Sequence, residues 1–111
     1  MVKYVTNTFL ATKVSFANEM YQICGGLNID YDKVIEYATY DERLGKSHWS
    51  VPGPDGDFGY GGHCFPKDVR ALISVAYGLG ISPEMLISTD ITNDEVRNNR
   101  DWENMKGRAV V

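Results

Sequence analysis

The chain has 111 residues, is 43% hydrophobic and carries a net charge of −4, which suits one folded domain and leaves no room for a dinucleotide-binding domain beside a second one. Its eleven Lys and Arg are scattered, so no basic stripe offers itself to a nucleic-acid backbone. Lys3, Asn7, Lys13, Asn18 and Glu19 interrupt the apolar residues at the front, which excludes a signal-peptide core or a membrane span there and leaves the cytoplasm as the natural compartment.

The elements predicted in chain order are all helices. From Lys3 to about Cys24, apolar residues recur at Val5, Phe9, Phe16, Met20, Ile23 and Leu27, and Leu10, Val14, Ala17 and Cys24 form a second stripe, so a long helix is predicted with two apolar sides. Both sides need cover, which a homodimer through this helix supplies better than a small monomer. Gly25 and Gly26 are expected to end it. Asp30 suits the N-cap of a second helix over Tyr31 to Thr39, with Val34, Ile35 and Ala38 facing inward. Residues 41–66 hold most of the glycines and three of the four prolines, and read as an irregular segment on which a site can be built. A third helix is predicted from Pro66 to about Leu79 over Val69, Leu72, Ile73 and Ala76, stopped by Gly78 and Gly80. Ser82 and Pro83 look like the cap and first residue of a fourth, reaching about Met105. The class is all-α: a small domain of about four helices over residues 1–105. Lys106 to Val111 reads as a turn feeding a buried strand, and with the uncapped front it suggests a piece cut from a longer chain, ordinary fraying termini being the bland alternative.

The stretch GYGGHCFPKD, residues 59–68, concentrates the chemistry. Three glycines allow close backbone approach to a ligand, and Pro66 suits a first helical turn. Cys64 therefore stands where a loop enters a helix, and the helix dipole with Lys67 nearby favours its thiolate, the form that acts as a nucleophile. The plainer reading of a lone cysteine is a small buried hydrophobe. Asp68 follows four residues later, within what the spacing makes the first helical turn, where a carboxylate can position a water or simply serve as a helix-end charge. Lys3 and Asn7 sit at i and i+4, so ammonium and amide share one face and can hold an oxyanion or a sugar hydroxyl; an exposed polar stripe is the bland alternative. Arg43 follows Asp41 and Glu42 and suits either a phosphate or a surface ion pair.

Other chemistries fail on spacing. In GYGGHC the third glycine of a dinucleotide fingerprint would fall on Cys64. Counting a calcium loop from Asp55 puts Tyr60 at the turn glycine and Pro66 at the bidentate carboxylate. His48 and His63 lack cysteine or carboxylate companions at metal-ligand spacing, and no metal is expected. Cys24 and Cys64 make no paired motif, so neither a disulfide framework nor a zinc site is implied.

Taken together, KYVTNTFLATKVSFANE, DERLG and GYGGHCFPKD resemble the central domain of the UDP-glucose/GDP-mannose dehydrogenase family along nearly the whole chain, with FPKD closest to its UDP-glucose 6-dehydrogenase branch. The resemblance implies oxidation of a sugar C6 alcohol to a carboxylate in two NAD-dependent hydride transfers, from UDP-glucose to UDP-glucuronate. It makes Cys64 the nucleophile that forms a thiohemiacetal and then a thioester. It gives Lys3 and Asn7 the reacting sugar and the oxyanion charge, Asp68 the water, Lys67 a place near NAD and Gly61 a backbone contact to substrate. Arg43 matches an arginine that reaches the nucleotide sugar of a neighbouring subunit. The family binds NAD on an N-terminal domain and completes the nucleotide site with a C-terminal one, so this chain alone is expected to be inactive. Ser47 to Phe58 departs from the family's usual pattern, which keeps GDP-mannose and UDP-N-acetylhexosamine open as alternative substrates, beside a non-catalytic helical dimerisation module.

Overall fold

In a computed structural model that describes residues 1–100, the four predicted helices are present and no strand occurs among the described residues: α1 Val2–Gly26, α2 Tyr31–Ala38, α3 Cys64–Gly78 and α4 Glu84–Val96, with a 3₁₀ turn at Glu42–Leu44. The expected domain boundary after residue 105 and the strand start at 106–111 lie outside the described residues. At 1.5 Å per residue α1 is about 37 Å long and runs nearly the full 41 Å of the longest dimension. It is the element on which α2, α3 and α4 all pack.

Several boundaries differ from expectation for local reasons. Gly25 and Gly26 lie inside α1, and the stop is Asn28 in the left-handed region at φ +58, with the Ile29 N–H closing onto the Cys24 carbonyl. Asparagine tolerates that conformation better than most residues. Asp30 caps α2 as predicted, accepting from the Asp32 and Lys33 N–H groups. The third helix begins at Cys64, two residues early, so Pro66 occupies its third position. Its end follows the glycine signal: Gly80 at φ +75 lets the Ile81 N–H reach the Ala76 carbonyl. The N-cap of α4 is Pro83, not Ser82, and α4 stops at Val96, because Arg97 turns extended (φ −78°, ψ 128°).

Only one of the two expected sides of α1 is covered. Its buried residues are Thr8, Ala11, Ser15, Ala17 and Asn18, mostly small and polar. They allow close helix approach: the Ser15 hydroxyl donates to the Thr89 carbonyl, and the Thr89 hydroxyl to that of Thr12. Val5, Phe9, Phe16, Ile23 and Leu27 remain exposed. In α2 the expected inward Val34 is exposed as well. Two small clusters form the core, Ala17 with Tyr31, Trp49 and Val51, and Ala11 with Tyr60 and Val69. The irregular segment is thus pinned by its own aromatics. Lys13 of α1 helps by donating to the Leu44 carbonyl under the Trp49 ring, 5.1 Å from its centroid.

Tyr31 provides a test of this packing. Its hydroxyl donates to the Trp49 carbonyl at 2.6 Å, and burial, with the nearby charges of Asp32 and Cys24, pushes the phenol up to about 12. An unfolded phenol titrates near 10, so the contribution is complete below pH 10 and is lost as pH rises from 10 to 12. In urea titrations the native chain should lose about 2 kcal/mol more stability than Tyr31→Phe over that window. Equal losses would show that the phenol is not held neutral by the fold.

Candidate functional site

The two halves of the predicted site are 61 residues apart in sequence and meet where α1 packs on α3. Ala11 and Val69, both fully buried, set the close approach. One turn toward the front of α1, Asn7 Nδ2 then donates to Asp68 Oδ2 at 2.7 Å. Lys3, another turn back, brings its ammonium to 3.7 Å from Asp68 Oδ1, and Lys67 places its own at 4.0 Å. Asp68 is completely buried, and its Oδ1 makes no hydrogen bond among the described residues. Lys3, Asn7, Lys67 and Asp68 are therefore one cluster rather than separate surface charges. Because α3 starts early, Asp68 stands in its second turn, and the two ammonium groups and the amide take the part that the helix start was expected to play.

Cys64 is the first residue of α3 and is exposed, four residues before Asp68 on the same face of the helix. Among the described residues, Cys64 is thus not packed as a buried hydrophobe. The arrangement offers an accessible thiol at the positive end of a helix, cationic and amide donors for a developing negative oxygen, and a buried carboxylate oxygen without a hydrogen-bond donor among the described residues.

Gly61 lines a cavity of about 420 Å³ with Val14, His48, Ser50, Gly53, Asp55, Gly59, Tyr60 and Phe65. Its floor is fixed by two residues that sequence reasoning missed. Asn93 of α4, 1% exposed, accepts from the Tyr60 N–H at 2.7 Å and donates to the Tyr60 carbonyl at 3.0 Å. Asn18 of α1 accepts from the Gly59 N–H at 3.1 Å. Asparagine in mid-helix is unfavourable unless its amide finds such work, and that was the available signal. The Tyr60 hydroxyl is buried without a hydrogen bond among the described residues, and burial holds the phenol well above its ordinary value.

Gly59 itself has φ +70, and a Cβ there would overlap Asn93 Oδ1. Gly59→Ala should therefore cost roughly 3 kcal/mol in urea unfolding. Gly56, at φ +82 with open space around it, should cost only about 1 kcal/mol as Gly56→Ala. Equal costs would mean that Asn93 does not constrain the loop.

Arg43 is not brought to this cluster. It is exposed and forks onto Asp41, Nη2 to Oδ2 at 2.6 Å, and the guanidinium holds that carboxyl below its usual range. Among the described residues no group of three or more His, Cys, Asp or Glu is placed to hold a metal ion, and no helix is long and apolar enough to cross a membrane.

Comparison with known proteins gives a consistent result. Residues 1–95 match the model of the UDP-glucose/GDP-mannose dehydrogenase family, central domain. The chain is 43% identical over 91 residues to a UDP-glucose 6-dehydrogenase of Pseudomonas aeruginosa, 37% over 94 residues to the UDP-glucose 6-dehydrogenase AglM of Haloferax volcanii, and 36% over 97 residues to the UDP-glucose 6-dehydrogenase TuaD of Bacillus subtilis. These alignments cover 82%, 85% and 87% of this chain but only 19%, 21% and 20% of the respective relatives. The chain thus spans about a fifth of their length.

Proposed function

We propose that this chain, which belongs to the UDP-glucose/GDP-mannose dehydrogenase family, supplies the covalent and hydrolytic machinery for oxidising the C6 alcohol of UDP-glucose to the carboxylate of UDP-glucuronate. The observation that carries this reading is the convergence of Lys3, Asn7 and Lys67 on a buried Asp68, one turn beyond an exposed Cys64. The names of the relatives favour UDP-glucose over GDP-mannose or a UDP-N-acetylhexosamine.

The thiolate of Cys64 adds to the C6 aldehyde, forming a C–S bond and placing negative charge on the carbonyl oxygen. The Lys3 ammonium and the second N–H of the Asn7 amide stabilise that oxygen. Once the adduct has been oxidised to the thioester, a water attacks the carbonyl as Asp68 Oδ1 takes its proton, and Cys64 departs as thiolate. NAD, when bound, supplies the two-electron acceptor for each oxidation. Of the described residues only Lys67 is assigned to it, since no strand, glycine-rich turn and helix unit stands among them. The chain by itself is accordingly catalytically silent, and we place the enzyme in the cytoplasm. The test is NADH formation by the complete enzyme on a panel of UDP-glucose, GDP-mannose and UDP-N-acetylhexosamines. Preference for either rival sugar would move the substrate assignment, and turnover by residues 1–111 alone would overturn the inactivity.

The exposed stripe Val5, Phe9, Phe16 and Ile23 on α1 supports a homodimer, in which the exposed Arg43 would exchange its Asp41 partner for the neighbouring subunit's substrate. Light scattering at micromolar concentration should give the mass of two chains, and Phe9→Glu with Phe16→Glu the mass of one. A native monomer would remove the dimer from the proposal.

A further inference from the structure

Arg97 lies just past α4, and no part of the function proposed above uses it. Its side chain is 1% exposed, unusual for an arginine unless it is fully engaged. Nη2 donates to Asp55 Oδ2 at 2.7 Å, Nε stands 3.5 Å from Asp57 Oδ2 and donates to the Asn99 carbonyl at 2.6 Å, and Nη1 reaches the Phe58 carbonyl at 3.5 Å. Asp57 completes the knot by accepting from the Asn98 and Asn99 N–H groups. Every loop group in this set belongs to the segment 53–59, and Gly53, Asp55 and Gly59 line the cavity that also holds Gly61.

We propose that Arg97 is a positioning residue for substrate binding: it fixes the 53–59 wall of this cavity against the end of α4. The inference rests on the function proposed above, because Gly61, the backbone expected to contact the substrate, shares this cavity with Gly53, Asp55 and Gly59. Arg97 touches no reacting group on that reading, so it should act on binding and not on the chemical step. The hydrogen bond from Arg97 holds the Asp55 carboxyl below its usual range, so the pair stays ionised wherever the enzyme is assayed.

The fork geometry predicts that lysine will not substitute. In the complete enzyme, Arg97→Lys should raise KM for UDP-glucose about tenfold and leave kcat within about threefold. Asp55→Asn, at a side chain that is half exposed and so little threat to folding, should raise KM in the same direction by a smaller factor. The amides of residues 53–60 should lose protection from hydrogen exchange in Arg97→Lys while those of α1 do not. The proposal is overturned if KM stays within twofold in both variants, or if kcat falls in step with the folded fraction at constant KM, since the latter marks a purely structural role. Should the parent enzyme fail to turn over UDP-glucose, the functional reading falls on its own, and unchanged exchange at 53–60 would separately overturn the clamp.

Discussion

Cys64→Ala in the complete enzyme is expected to lower turnover by at least about a thousandfold while KM for UDP-glucose changes little. The thiol is exposed at the first residue of α3 and packs in neither core cluster, so its loss costs the fold little. What disappears is the covalent hold on the aldehyde between two oxidations, an interaction absent from the ground-state complex. Iodoacetamide supplies an independent reading on the same residue. Cys64 should be alkylated well ahead of the half-buried Cys24, with inactivation tracking its modification. Turnover within about tenfold of the parent would remove Cys64 as nucleophile and leave the helical dimerisation module as the better account of the domain.

Asp68→Asn should separate stability from activity. The carboxylate is fully buried, yet among the described residues it has one hydrogen bond, from Asn7, and two ion pairs at 3.7 and 4.0 Å to lysines that are themselves partly exposed. Burying a charge with so little compensation is costly. The amide can keep the bond from Asn7, and Lys3 and Lys67 are exposed enough to turn back to water. We expect the unfolding free energy to stay within about 1 kcal/mol of the parent, or to rise, while hydrolysis of the thioester slows by about a hundredfold or more. A loss of several kcal/mol would identify Asp68 as a structural anchor. Unchanged turnover would show that it does not handle the water.

How much of this was legible depended on whether a residue's role is local. Helical period placed all four helices, and the Asp30 cap and the Gly80 stop came directly from residues whose backbone preferences act where they stand. The stop of α1 was misplaced because a left-handed asparagine after two glycines carries a weaker signal than the glycines themselves. At the site, Lys3 with Asn7 and Cys64 with Asp68 could each be paired by i, i+4 spacing. That Lys3 and Asn7 meet Asp68 follows only from the α1–α3 contact over Ala11 and Val69, which spacing cannot supply. Asn18, Asn93 and Arg97 were passed over for the same reason: as letters they read as solvated polar residues, and only tertiary packing turns them into fasteners of the glycine-rich loop.

The buried hydroxyls and exposed phenylalanines of α1 make it an inverted helix, one that hydropathy alone would dock back to front. Polar groups such as Thr12, Ser15 and Asn18 must find their few correct partners before the helix gains anything from burial, whereas the phenylalanine face will stick to almost any apolar surface. Hydrophobicity therefore does not choose which face of α1 turns inward; the partners of Thr12, Ser15 and Asn18 do.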